Sequence, residues 1–357
     1  MTNKVLFILK RREDYNPVKH SPIGLSTGLY NSANFMNVML NDGGVESVLA
    51  VAIDNNDIDR LVTRHKPTHV IIEALWVVPT KFAVLCKLHP NVQWIVRLHS
   101  EMPFMAGEGI AMDWVAEYIK YPNIIIGVNA PRMLHEIRTY LATITDHTEK
   151  ETERRIIYLP NYYPQTYKKK DPELYNKYRG NKYWIDVACF GAVRLLKNHM
   201  VQAMAAVKYA NHHGKQLRFH ININRIEMQG SPVLHNLQSM FEQMSDYGYQ
   251  LIGHEWTPRD EFLEICGEMD IGLQVNFSET FNIVSADLVS QGVPIVGSSE
   301  IPWSSRLFNA HATESDEIFH AMSRAMLFKD LNVWLNQRNL TKYTNNTEKL
   351  WVEYFKG

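Results

Sequence analysis

Asn276-Phe-Ser-Glu279-Thr-Phe-Asn282-Ile-Val-Ser-Ala-Asp287-Leu-Val-Ser-Gln-Gly292-Val-Pro-Ile-Val-Gly297 is the stretch from which the fold is read. The run Asp270–Val275 precedes it and Pro294–Gly297 closes it, both apolar enough for buried strands. Between them Ile283, Ala286, Leu288 and Val289 recur at helical spacing, so the unit reads strand, loop, helix, strand. Gly292 followed by Val-Pro stops the helix. The polar loop Ser278-Glu279-Thr280 then lies at the carboxyl end of a strand, where open α/β sheets take their ligands. A helix starting near Asn282 would turn free N–H groups toward the same place, a natural seat for phosphate. Glu279 before the helix and Asp287 on it are two acids able to face one polyhydroxylated ligand. They are equally readable as two solvated acids on an ordinary strand–helix–strand unit.

Strand and helix alternate on both sides of this unit. In the first half, apolar runs at Val5–Leu9, Ser47–Ile53, His69–Ala74, Gln93–Leu98, Ile124–Val128 and Ile156–Leu159 alternate with helical patterns at Thr27–Leu40, Ile58–Thr63, Thr80–Leu88, Ile110–Ile119 and Pro131–Tyr140. Alternation resumes from Ile185 and ends in the helical patterns Ser315–Phe328 and Leu331–Tyr354. Runs such as Val70-Ile-Ile and Ile124-Ile-Ile suit strands buried on both faces of a parallel sheet. Between the halves, Tyr162 to Gly180 is polar, aromatic and charge-dense, the composition of a linker. A chain of 357 residues exceeds one ordinary core. The expected division is a Rossmann-like domain over 1–165, a linker over 166–184, a second Rossmann-like domain over 185–335 and a terminal helical segment over 336–357.

Composition narrows the function classes. A net charge of −1 gives no global field for nucleic acid or membrane, so any such contact must come from a local patch. Three scattered cysteines are too few for a disulfide frame and imply a reducing compartment. The N-terminal run reads as a first strand rather than a signal peptide, and no run reaches membrane-spanning length, so a cytoplasmic protein is expected. His-Glu-x-x-His, Cys-x-x-Cys and Walker patterns are missing from the sequence.

Further motifs fall at strand ends. Phe190-Gly191-Ala-Val-Arg194-Leu-Leu-Lys197-Asn198-His199 follows one strand and opens a helix. Two fixed cations there would stabilise negative charge on a ligand, although the same residues also suit a plain solvated turn. Pro22-Ile-Gly24-Leu-Ser26-Thr27-Gly28 follows the first strand. Arg97-Leu-His99-Ser100-Glu101 closes the fourth, where His99 either lines a site or is structural. Leu251-Ile-Gly253-His254-Glu255-Trp256 is another strand-to-helix junction, and Trp256 there is either a ligand cover or core. His220, Asn222, Asn224 and Arg225 make an unusually polar strand end.

Taken together, the acid–seven residues–acid spacing of Glu279 and Asp287, the small-Gly-Val-Pro turn, the Gly191…Arg194…Lys197-Asn198 element, His99 and Pro160-Asn161 resemble the family 4 glycosyltransferases. That family usually carries Glu at the second acidic position, where this chain has Asp287. The resemblance implies an α/β GT-B fold, two doubly wound domains facing a cleft, with C-terminal helices crossing back to the first. It implies a retaining, metal-independent transfer from a nucleotide-diphosphate sugar, here expected to be a UDP-sugar, with no other cofactor and no protein nucleophile. By the resemblance, Glu279, Arg194, Lys197 and His99 carry catalysis. Gly24, Ser26, Gly191, Gly253, His254, Thr280, Phe281, Asn282, Ile283 and Asp287 bind the donor.

Segments such as Glu73-Ala-Leu-Trp-Val-Val-Pro79 look like glycosyltransferases of tailed bacteriophages, some of which modify pyrimidines in DNA. Double-stranded DNA with modified pyrimidines is therefore the expected acceptor, in host cytoplasm. Arg11, Arg12, Lys19 and Lys168–Lys170 are the candidate phosphate contacts, each readable equally as a solvated loop. Glycan, lipid-linked or protein acceptors are the alternative, together with a GT-B epimerase, a sugar-phosphate phosphorylase or a binding protein without catalysis.

Overall fold

The computed structural model describes residues 3–11, 28–168 and 183–356. It divides into two compact units, one formed by residues up to Pro164 together with those from Thr344 onward, the other by Gln165–Tyr343. Most of the expected linker over 166–184, and the loop carrying Gly24 and Ser26, lie outside the described residues.

The first unit contains β1 (Lys4–Lys10), α1 (Gly28–Asp42), β2 (Glu46–Ala52), α2 (Asp57–His65), β3 (His69–Glu73), α3 (Pro79–Leu88), β4 (Gln93–Leu98), α4 (Met102–Met105), α5 (Ala111–Tyr118), β5 (Ile124–Val128), α6 (Pro131–Ile144), α7 (Glu149–Arg155) and β6 (Ile156–Tyr158). The strands form one sheet in the order β2-β1-β3-β4-β5-β6, parallel throughout. Apolar strands such as Ile124–Val128 are buried along their whole length, as a sheet covered on both faces requires. One face packs Phe82, Trp94 and Tyr118 edge to face. The other packs Phe7 and Ile95 against Trp351 and Phe355. The sequence reading passes over α4 and α7. The second of these is set by a capping box, Thr148 bonding the Glu151 amide while the Glu151 carboxylate returns to Thr148.

The second unit holds β7 (Trp184–Ala188), α8 (His199–His212), β8 (Gln216–Asn222), α9 (Gly230–Gln243), β9 (Tyr249–His254), α10 (Arg259–Glu268), β10 (Ile271–Gln274), α11 (Ile283–Ser290), β11 (Ile295–Gly297), α12 (Ser315–Leu327) and the first part of α13 (Lys329–Lys356), whose remainder belongs to the first unit. Its parallel sheet runs β11-β10-β7-β8-β9. The chain leaves β7 toward β8 and β9, then returns to the other side of β7 for β10 and β11. That reversal is the topological switch point, and it opens a crevice at the carboxyl ends of β7 and β10. The expected strand–loop–helix–strand unit is β10, α11 and β11, and its helix packs closely. A Cβ on Gly272 would stand 2.4 Å from Leu288 Cδ1, so glycine is what lets α11 lie on β10. No helix among the described residues is long and apolar enough to cross a membrane.

Candidate active site

The two loops flanking the switch point meet. Past β7, Gly191 adopts φ +118°, a conformation that suits glycine, with its amide donating to Asn222 Oδ1 at 2.8 Å. The chain then makes a short turn at Leu195–Lys197, and α8 begins only at His199. Lys197 is consequently on the turn before the helix. From the far side of the crevice, the loop after β10 brings Glu279, and the Lys197 ammonium donates to Glu279 Oε1. Asn276 Nδ2 also donates to that oxygen at 2.9 Å, and Asn282 Nδ2 reaches Gln274 Oε1 at 3.0 Å. Gln274 in turn donates to the Phe190 carbonyl at 2.9 Å, tying one loop to the other. Asn198 Nδ2, at 2.9 Å from the Val275 carbonyl, and Gln202 Oε1, at 2.8 Å from the Val275 amide, repeat the tie. Burial pushes the Lys197 ammonium down and Glu279 pulls it back up, while Arg194 pushes it down further.

Asn282 caps α11. Its backbone is left-handed at φ 62°, and its side-chain oxygen accepts from the Ser285 amide at 2.9 Å. The amides of Ile283 and Val284 precede the first amide that bonds within the helix, Ala286 to the Asn282 carbonyl, and are the donors at this helix start. Phe281 turns its ring into the core beside Trp303 and Tyr343. The Asp287 carboxylate is buried and stands 2.8 Å from Arg259 Nη1, on the neighbouring helix α10.

Arg194 lies on an extended segment pinned by a bridge between Val193 and Ile226. Its guanidinium meets Glu227 at 3.4 Å, and Arg225 meets the same carboxylate at 2.7 Å while lying 4.8 Å from the centre of the Trp256 ring. Beside these cations His199 is buried, and neither ring nitrogen has a partner among the described residues. Burial, then the charges of Lys197 and Arg194, push it down to about 3, so it is neutral at working pH. Sequence reasoning passed over His199, Gln202 and Gln274. A polar side chain inside an otherwise apolar strand was the available signal for Gln274.

His254 ends β9, next to the exposed Gly253. His99 belongs to the first unit. Its Nε2–H donates to Glu73, and Asn129 Nδ2 approaches its Nδ1 at 3.4 Å. Glu73 and Arg97 are both fully buried, with two bonds of 3.1 and 3.2 Å between them. Arg97 also bonds Asn161 and the Leu159 carbonyl. While these bonds stand, His99 offers neither ring nitrogen to a ligand.

No family model matches the sequence, and the search of curated proteins finds no match. Solved structures do match over the whole chain. An OtsA apo structure superposes with a TM-score of 0.67 at 12% identity, covering 100% of this chain and 99% of that one. The E. coli trehalose-6-phosphate structure with bound UDP-2-fluoro glucose gives 0.68 at 11%, covering 99% of both chains. The N-terminal domain of a Candida albicans trehalose-6-phosphate phosphatase gives 0.70 at 9%, covering 100% and 98%. At this identity the likeness defines the fold, which is GT-B.

Proposed function

We propose that the protein is a retaining glycosyltransferase whose donor, a nucleotide-diphosphate sugar, binds at the switch point of the second unit. The observation that carries this reading is the convergence of Lys197 and Glu279 from opposite sides of the crevice, beside the capped start of α11. A leaving diphosphate gains negative charge as the glycosidic bond breaks. Lys197, Arg194 and the first amides of α11 offer positive charge in fixed positions, so they stabilise the transition state more than the ground state. Glu279, released from Lys197 by the incoming diphosphate, is then free to hold sugar hydroxyls. The acceptor oxygen attacks on the face from which the diphosphate departs, and its proton passes to a donor phosphate oxygen. Positioning and charge stabilisation are the protein's contribution. The likeness to a structure holding UDP-2-fluoro glucose supports a UDP-sugar donor.

The acceptor we read from the bacteriophage-like segments is a modified pyrimidine in DNA. The net charge of −1 and the full-length likeness to trehalose-6-phosphate proteins favour a second reading, a small sugar acceptor. Incubation with a panel of nucleotide sugars and both acceptor classes, read by mass spectrometry, tests both. Glu279→Ala should abolish transfer while the protein stays folded, since a loop carboxylate leaves no core cavity behind. Wild-type turnover of Glu279→Ala with every donor tested would remove the assignment.

A further inference from the structure

A line of polar side chains runs along one face of the second sheet toward its carboxyl edge. Arg218 on β8 donates to Asp186 Oδ2 on β7 at 2.6 Å. Asp186 Oδ1 lies 2.9 Å from His220 Nε2, and His220 Nδ1 lies 2.8 Å from His254 Nε2. The two imidazoles stack with ring centres 5.1 Å apart. His220 is buried, whereas His254 is partly exposed and packs edge-on against Phe190.

The protons along this line are determined by its inner end. Burial alone would raise the Asp186 carboxyl, but the bonds from His220 and Arg218 outweigh it and hold Asp186 ionised. An ionised carboxylate only accepts, so His220 carries its proton on Nε2 and leaves Nδ1 bare. His254 must then donate from Nε2, which leaves its own Nδ1 without a proton. That nitrogen has no partner among the described residues. Burial and the neighbouring His220 both push His254 down, so it is neutral near pH 7.

We propose that His254 Nδ1 accepts a hydrogen bond from the donor nucleotide, and that Asp186 and His220 are positioning residues that keep this nitrogen bare. The inference rests on the reading of these strand ends as the donor site. One proton added to the line reverses the arrangement. The proton binds His254 Nδ1, the Nε2 proton of His254 moves to His220 Nδ1, and the charge comes to rest on His220 beside Asp186. His254 then donates from Nδ1 where before it accepted. His220 is the charged or titratable group whose influence reaches His254 directly, Asp186 and Arg218 act through it, and the other ring contact, Phe190, is apolar. A ligand group that donates is therefore bound in the neutral state and rejected in the protonated one.

The test uses the full-length protein with 15N-labelled histidine and UDP-glucose as probe, whose diphosphate stays ionised across the range. Ring nitrogen spectra of the free protein at about pH 8 should show His254 protonated on Nε2 alone, with Nδ1 gaining a proton toward pH 5. The dissociation constant for UDP-glucose should rise about tenfold over the same midpoint, with kcat changing less. Asp186→Asn removes the charge that holds the imidazolium, so the midpoint should move to lower pH. His254→Phe should weaken binding at pH 8. His254→Gln, whose amide oxygen can accept, should restore affinity and abolish the pH dependence. A proton on His254 Nδ1 at pH 8, an unmoved midpoint in Asp186→Asn, or wild-type affinity in His254→Phe would each overturn the proposal. If the spectra show the expected tautomers but the wild type binds no nucleotide sugar, the donor-site reading has failed and this proposal falls with it.

Discussion

Two ion pairs, Lys197 with Glu279 and Glu73 with Arg97, make different demands. Lys197 and Glu279 neutralise each other at a place that must open for a diphosphate, so the charge left by removing either lies at a ligand crevice. Lys197→Ala should lower kcat about a hundredfold or more through lost transition-state stabilisation, and single-turnover kinetics would separate this from donor binding. Strict dependence on a divalent cation, tested with EDTA, would assign the leaving-group charge to the metal instead. Glu73 and Arg97 are fully buried and shape the first unit. Arg97→Met strands a carboxylate in the core and should cost about 3–5 kcal/mol in urea unfolding, whereas replacing both residues with apolar ones should recover much of it. Acid acts on the same cluster. Burial raises the Glu73 carboxyl but Arg97 and His99 more than reverse it, while burial lowers His99. A lowered histidine costs stability once pH falls below its unfolded value of about 6.5, because the unfolded chain then binds the proton more readily. The lowered Glu73 keeps its contribution until pH falls below the usual carboxylate range, then loses it. Unfolding midpoints should therefore drop in two stages, and His99→Gln should lessen the first, to which the buried His199 also contributes.

At the scale of elements, what the sequence shows is periodicity, and what it conceals is partnership. The β10–α11–β11 unit was legible because apolar spacing, Gly292 and Val293-Pro294 all report local geometry. The Asn282 cap was legible for the same reason. Asp287 was legible as an acid on that helix, but its pairing with Arg259 depends on how α10 packs, which no spacing within α11 encodes. The short α4 and α7 were missed because helices of one or two turns leave too little periodicity to read. Packing also explains a glycine that the sequence does not single out. At Gly230, a Cβ would come 2.0 Å from the Val193 carbonyl oxygen, a backbone atom that can move only by disturbing the bridge that holds Arg194. Gly230→Ala should thus destabilise by about 1–3 kcal/mol and also reduce turnover, with Arg194 displaced. Thermal melts alongside kcat measurements would check both effects. Unchanged activity in a destabilised protein would show that Arg194 does not depend on this bridge.

For the whole molecule, the parallel α/β units were readable from alternation, the GT-B fold followed from the resemblance, and the acceptor was not readable. Recognition of an acceptor depends on a surface, and the residues offered for DNA are lysines and arginines that suit any solvated loop. If DNA is the acceptor, its apparent affinity should fall by orders of magnitude between about 50 and 200 mM salt as counterion release weakens, while UDP-glucose affinity changes far less. Neutralising Arg11, Arg12 and Lys19 together should flatten that slope. Glycosylation of a small sugar with no salt-sensitive DNA binding would transfer the assignment to the second reading.

The route of the last helix has a consequence for how the protein is made. Trp351 stacks on Phe7 at 6.0 Å, lies 5.1 Å from the Arg97 guanidinium and donates from its indole to the Pro160 carbonyl, 191 positions away in sequence. A ribosome reading from the amino terminus releases β1 before the second unit and Trp351 after it. The first unit, begun before the second, is completed after it, and during synthesis its core stands open on the side that Trp351 and Phe355 will fill. The second unit has nearly all of its residues in hand before that moment. A nascent chain stalled after Tyr343 should thus bind hydrophobic chaperones through its oldest half, not its newest.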